Sequence, residues 1–223
     1  MNPNDATPSP ASSSTPYAID AEGWCAAARR VPSPNCDPRA EGMTVDLLVI
    51  HNISLPPGEF GTHYIEDLFC NRLDCDAHPY FEQLRALQVS AHFLVRRDGS
   101  LLQFVATVQR AWHAGVSRFG EREQCNDFSI GIEMEGTDTT AFEAAQYRTL
   151  AGLTQALQAR HGFGDVAGHD HIAPGRKTDP GPFFDWAAYH ALYLQAASAP
   201  VQGAAMSAGA APLLRFTGRI SGA

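Results

Sequence analysis

Apolar and polar positions alternate in distinct ways along this chain, and each pattern predicts an element. Residues 43–51, MTVDLLVIH, form a near-continuous apolar run that suits a strand buried on both faces. NISLPPGEFG follows, and its two prolines and two glycines predict a loop. Short helices are expected at 62–69 and 79–87. Residues 89–96 and 100–105 flank Asp98-Gly99, a pair suited to the positive φ of a tight turn, and so predict a hairpin. In 128–135, FSIGIEME, the residues Ile130, Ile132 and Met134 alternate with Gly131, Glu133 and Glu135. That period of two places both carboxylates on one face of a strand. Thr140 and Glu143 fit a capping box that opens a helix to about His161. Phe142, Leu150, Leu153 and Leu157 supply its stripe, and Gly162 its stop. A short strand from Val166 to His169 and a helix after Pro182, carrying Trp186, Tyr189, Leu192 and Tyr193, complete the pattern. Near the start, Asp20 is expected to cap a short helix through Arg30. The class is α/β: a single domain with a central mixed β-sheet flanked by helices.

Composition sets the limits of that domain. Residues 1–19 hold four Pro and four Ser, and residues 196–211 hold eight Ala. The domain is therefore expected over 20–195, between a disordered tail at 1–19 and an Ala/Gly-rich one at 196–223. A net charge of −8 is a poor match for a phosphate backbone, so nucleic acid is not an expected partner. No window is long and apolar enough to span a bilayer, and the first residues lack the basic and apolar regions of a secretory signal. A cytoplasmic monomer is expected. Five cysteines, an odd number without repeated spacing, predict reduced thiols rather than a disulfide framework.

Candidate chemistry concentrates in GHDHIAPGRKTDPG, residues 168–181. Its glycines and prolines prevent a long helix, and it carries two histidines, a lysine and an aspartate. His51, ending the first buried strand, is a natural third donor. Two histidines and an aspartate are the three-ligand set of a hydrolytic zinc centre with one position left for water. Glu133 is a candidate proton carrier, but Glu135 shares its face and periodicity alone does not choose between them. Lys177 can stabilise an oxyanion. His92 alternates with Ser90 and Leu94 on the hairpin and reads as structural; His78 offers less. Trp112-His113-Ala114-Gly115 reads either as a groove wall or as a core plug, and Tyr80 is equally open.

Several stretches carry a resemblance. HNISLPPGEFG (51–61), AHPYF (77–81), SAHFLVRRDG (90–99), RAWHAGVS (110–117), CNDFSIGIEMEGTDT (125–139) and IAPGRKTDPGPFFDW (172–186) resemble the type 2 N-acetylmuramoyl-L-alanine amidases, which share their fold with peptidoglycan recognition proteins. The resemblance runs from about Trp24 to Trp186 and leaves out both ends. It implies a zinc amidase acting on anhydro-muramyl peptides released in cell-wall turnover. The metal would be held by His51, His169 and Asp179. Glu133, rather than Glu135, would be the catalytic carboxylate, and Lys177 would stabilise the transition state. Asn52, Tyr80, Trp112 and His113 are expected to bind substrate. One departure stands close to the site: where the family has a small residue followed by Asp or Asn, this chain has Asp170-His171, so His171 is an extra potential donor. Two other readings are a periplasmic amidase of intact peptidoglycan and a non-catalytic muropeptide-binding protein.

Overall fold

A computed structural model describes residues 16–198 and 214–217. In chain order the strands are β1 (Arg29–Arg30), β2 (Cys36–Pro38), β3 (Leu47–Ile53), β4 (Phe93–Val95), β5 (Leu101–Gln103), β6 (Gln109–Ala111), β7 (Arg118–Phe119), β8 (Arg122–Glu123), β9 (Ser129–Glu135), β10 (Asp165–Gly168) and β11 (Arg215–Phe216). The helices are α1 (Tyr64–Phe69), α2 (Ala144–His161), α3 (His169–Ile172) and α4 (Trp186–Ser198), with a 3-10 turn at Pro79–Leu84. Seven strands form one sheet in the order β1-β5-β4-β9-β3-β10-β11. Only β4 and β5 pair antiparallel within it, as the Asp98-Gly99 turn predicts, and Gly99 there has φ 85°. The central sheet is mixed and flanked by helices.

The two apolar runs become neighbouring inner strands because both of their faces are covered. Leu48 and Ile50 of β3, with Ile130, Ile132 and Met134 of β9, pack beneath Leu150, Leu153 and Leu157 of α2 and Tyr189 of α4. The opposite face of β3 presents Leu47 and Val49 to Phe128 and Ile172. Beside them, Leu94 and Leu102 pack with Phe69, Phe81 and Phe104. Parallel pairing sets His51 level with Glu133, and Ile50 level with Gly168 at the end of β10. The C-terminal ends of three strands thus meet on the face away from α2 and α4.

Local structure departs from the predicted pattern in three places. Residues 20–30 form turns and an isolated bridge between Ile19 and Cys25, then strand β1, instead of a helix. Asp20 caps a turn, accepting the Trp24 N–H at 2.7 Å, and Gly23 lies at φ 91° so close to Thr107 that no Cβ fits. Helix α2 opens at Ala144, later than expected. Its first turn is fixed by Gln146, whose Oε1 accepts the Glu143 N–H at 3.0 Å, while Thr140 bridges back to Thr137. Finally, the ends expected to be low-complexity tails contribute to the domain wherever they are described. Tyr17 and Ile19 pack on the core, and β11 pairs in parallel with β10. The remainder of both predicted tails lies outside the described residues.

Candidate active site

Three side chains converge where β3 and β10 end. His51 lies on β3 at 1 % exposure, and His169 opens α3 directly after β10 at 3 %. Asp179 reaches them from the loop after α3, pinned there because its carbonyl accepts the Asp170 N–H at 2.9 Å. His51 Nδ1, His169 Nδ1 and Asp179 Oδ2 form a triangle with every side 3.0 Å. Donors ~2.0–2.1 Å from a tetrahedral zinc stand roughly 3.3 Å apart, so the triangle needs little adjustment to hold one. The protonation of the rings agrees. His169 Nε2 lies 3.1 Å from the Ala114 carbonyl, which can only accept, so Nε2 carries the hydrogen and Nδ1 presents a lone pair. Burial pushes His51 down to about 4, which leaves its ring neutral near pH 7. Two ring nitrogens and a carboxylate oxygen therefore face one point, as a cation site requires.

Glu133 stands beside this cluster because β9 pairs in register with β3. Its Oε2 is buried and has no hydrogen-bond partner. Burial, reinforced by the negative charge of Asp179, pushes its pKa well above the carboxylate range, and Lys177 opposes the shift. Glu135, on the same face, is fully engaged. Its carboxylate accepts from the Arg96 guanidinium and the Gly61 N–H, each at 2.7 Å, and from the Arg97 N–H at 3.1 Å. The two glutamates thus differ in their partners: Glu135 anchors the loop after β3, whereas Glu133 Oε2 has none.

A cavity of about 480 Å³ opens over the cluster. Glu133 and Lys177 line it, as do Tyr80 and Trp112. Asn52 and His113 also touch the cavity but have other partners. Both Asn52 amide hydrogens are used within the protein, to Asp138 Oδ1 at 2.7 Å and to the Pro180 carbonyl at 3.0 Å. Asn52 thus ties the end of β3 to the loop carrying Asp179. His113 is 9 % exposed and abuts His51 from behind, with its Nδ1 2.9 Å from His51 Nε2. His171 is directed away from the triangle: its Nδ1 accepts the Gly168 N–H at 3.1 Å and its ring packs edge-on against Trp186. His92 is structural, accepting the Gly131 N–H at 3.0 Å. Residues that sequence reasoning missed surround this cluster. Asn126 Oδ1 accepts the backbone N–H groups of both His113 and Ala114, at 3.0 and 2.7 Å. Arg176 donates to the Ala114 carbonyl at 2.8 Å. These act through loop geometry, for which periodicity carries no signal.

The sequence profile of the N-acetylmuramoyl-L-alanine amidases matches residues 41–182, a span that contains the whole cluster. The chain belongs to that family. As such it is an N-acetylmuramoyl-L-alanine amidase, a hydrolase of an amide bond. This amidase is 58 % identical over 173 residues to the 1,6-anhydro-N-acetylmuramyl-L-alanine amidase AmpD of Citrobacter freundii, covering 77 % of this chain and 92 % of the relative. It is 56 % identical over 175 residues to the Escherichia coli K12 protein of the same name, covering 77 % and 94 %. A crystal structure of a selenomethionine AmpD derivative matches it with a TM-score of 0.75 and 57 % identity, over 78 % of this amidase and 98 % of that chain. Among the described residues, no helix of the amidase is long and apolar enough to cross a membrane.

Proposed function

We propose that this amidase releases the stem peptide from anhydro-N-acetylmuramic acid in peptidoglycan turnover products, as a zinc enzyme of cytoplasmic wall recycling. The carrying observation is the 3.0 Å triangle of His51, His169 and Asp179 with an unpartnered Glu133 beside it. The names of its relatives, which reach 58 % identity, support the anhydro-sugar substrate. Zinc, when bound by those three residues, would supply a Lewis acid and lower the pKa of water.

The amidase's own groups supply the rest. Glu133, whose Oε2 is buried without a hydrogen-bond partner, takes a proton from the attacking water and delivers it to the departing L-alanine nitrogen. Its raised pKa suits it to hold that proton between the two transfers. The Lys177 ammonium, lining the same cavity, stabilises negative charge developing on the carbonyl oxygen. Tyr80 and Trp112 offer aromatic walls for the sugar ring. The catalytic unit spans 20–195 as a monomer, with Tyr17, Ile19 and residues 214–217 packed against it.

Mass spectrometry of products from anhydro-muramyl-tripeptide, with and without a chelator, tests this reading. Free tripeptide and anhydro-sugar are expected, and their formation should cease on chelation and return with zinc. Undiminished turnover after exhaustive metal removal would refute zinc dependence. Equal turnover on whole sacculi would favour a periplasmic enzyme of intact peptidoglycan.

A further inference from the structure

Arg176 precedes Lys177, and one carbonyl turns both residues together: their N–H groups donate to Ala173 O at 3.1 and 3.0 Å. Both side chains line the cavity over the triangle. Arg176 commits a single nitrogen to the protein. Its Nη2 donates to the carbonyl of Ala114, at 2.8 Å, and to that of Val116. Gly115 between them lies at φ 56°, and the turn it makes brings both flanking carbonyls to that one nitrogen.

The rest of the guanidinium is uncommitted. Its plane is fixed by Nη2, yet Nε and Nη1 have no acceptor among the described residues. No carboxylate neutralises it there either, whereas Arg96, Arg110 and Arg215 each meet one at 2.6–2.7 Å. Arg176 is also exposed, so its open donors are accessible from solvent.

Its position is a junction. Beside the cavity of about 480 Å³ lies a second of about 670 Å³, and Arg176 and Lys177 line both. The second adds Thr137, Thr139 and Thr178, a polar lining suited to a peptide main chain. A substrate chain that runs from one cavity into the other passes the guanidinium.

The chemistry of the substrate says which part of it would stop there. The muramyl carboxyl is tied up in the amide that is cut, and the anhydro-sugar carries no other acid. Every carboxylate of the substrate therefore belongs to the stem peptide. A charge-assisted hydrogen bond from a guanidinium held in one orientation is the interaction that recognises such a group.

The geometry points to Arg176 as a specificity residue that receives a stem-peptide carboxylate on Nε and Nη1, while Nη2 keeps it anchored to the Ala114–Val116 turn. The inference rests on the substrate reading given above. Because the carboxylate is remote from the bond being cut, the contact is the same before and during reaction and acts on KM rather than kcat.

Steady-state kinetics on anhydro-muramyl-tripeptide, and on the same compound with all its peptide carboxylates amidated, test it. Amidation should raise the native KM by roughly 5–10-fold, between the worth of an exposed ion pair and that of a charged hydrogen bond. Arg176→Gln should raise KM by a similar factor on the acid and leave kinetics on the amide unchanged. Turnover of the amide thus also shows that the variant is folded with its turn in place. Equal losses on acid and amide would mean that Arg176 acts only through the Ala114–Val116 turn, and would overturn the proposal, as would a native enzyme indifferent to amidation. Failure of the native enzyme to release peptide from either compound would sink the substrate reading instead. Calorimetric binding of the free tripeptide, acid against amide, to native and R176Q protein then decides for or against Arg176 without turnover.

Discussion

Glu133 combines two properties that normally exclude each other, being both buried and unpartnered. Its raised pKa means that the folded protein favours the neutral carboxyl more than the unfolded chain does. The stability this group contributes is present below the ordinary carboxylate range and is lost as pH rises through the folded value. Glu133→Gln should therefore stabilise the metal-free protein at pH 8 by about 1–3 kcal/mol, because its neutral amide removes the burial of a carboxylate charge. The gain should shrink towards pH 5, and turnover should fall by about 10²–10⁴ with the proposed proton carrier gone. Urea unfolding at both pH values checks this, and an equal gain at each would show that ionisation of Glu133 does not matter. At this scale the sequence was legible only through motif resemblance. Periodicity could place Glu133 and Glu135 on one face, yet what separates them is the set of donors from Arg96, Arg97 and Gly61, which meet Glu135 across the fold.

Strands and helices with strong periodicity were readable in advance, and those shaped by tertiary contacts were not. β3, β9 and α2 follow from their apolar spacing, and Gly162 ends α2 with φ 76° as a glycine stop should. The segment at 20–30 misled because helical spacing there competes with Gln103, whose Oε1 takes the Cys25 N–H at 2.7 Å and withdraws it from any helical hydrogen bond. Strand β11 gave no signal, since two residues are too few for a period. It nonetheless completes one edge of the sheet. The Arg215 N–H reaches the Gly164 carbonyl and the Thr217 N–H reaches that of Val166. Leu214 is buried, and Phe216 packs on Tyr189 and Tyr193. Truncation after Ser198 should cost about 2–4 kcal/mol, the worth of one buried leucine and a partly buried phenylalanine. An unchanged urea midpoint would show that the segment contributes nothing to folding.

Over the whole molecule, the sheet divides labour between its faces. One is covered by α2 and α4 and supplies the main core, while the other holds a row of buried histidines from His92 through His113 and His51 to His169. Buried neutral histidines make a protein sensitive to acid. Burial lowers His92 far below its ordinary value, and away from this row it lowers His161 to about 4, with nearby arginines reinforcing both shifts. Folded values below unfolded ones mean that the unfolded chain takes up protons the folded chain refuses. Stability present above about pH 6.5 is therefore lost as pH falls towards 4, by up to about 1.4 kcal/mol per pH unit for each such group. Thermal unfolding of the metal-free protein across this range checks the slope, and a flat profile would contradict the burial of these rings.

The hydrogen bonds from Asn52 to the Pro180 carbonyl and from Asp170 to the Asp179 carbonyl have a kinetic meaning. Two donors of the triangle stand on or directly after sheet strands, and the third stands on a loop that only a few such bonds fasten down. An ion held by the three would leave most readily by displacement of that loop, without the sheet coming apart. Exchange of such an ion and unfolding of the protein would be separate clocks, with the Asn52 hydrogen bonds bearing on the first.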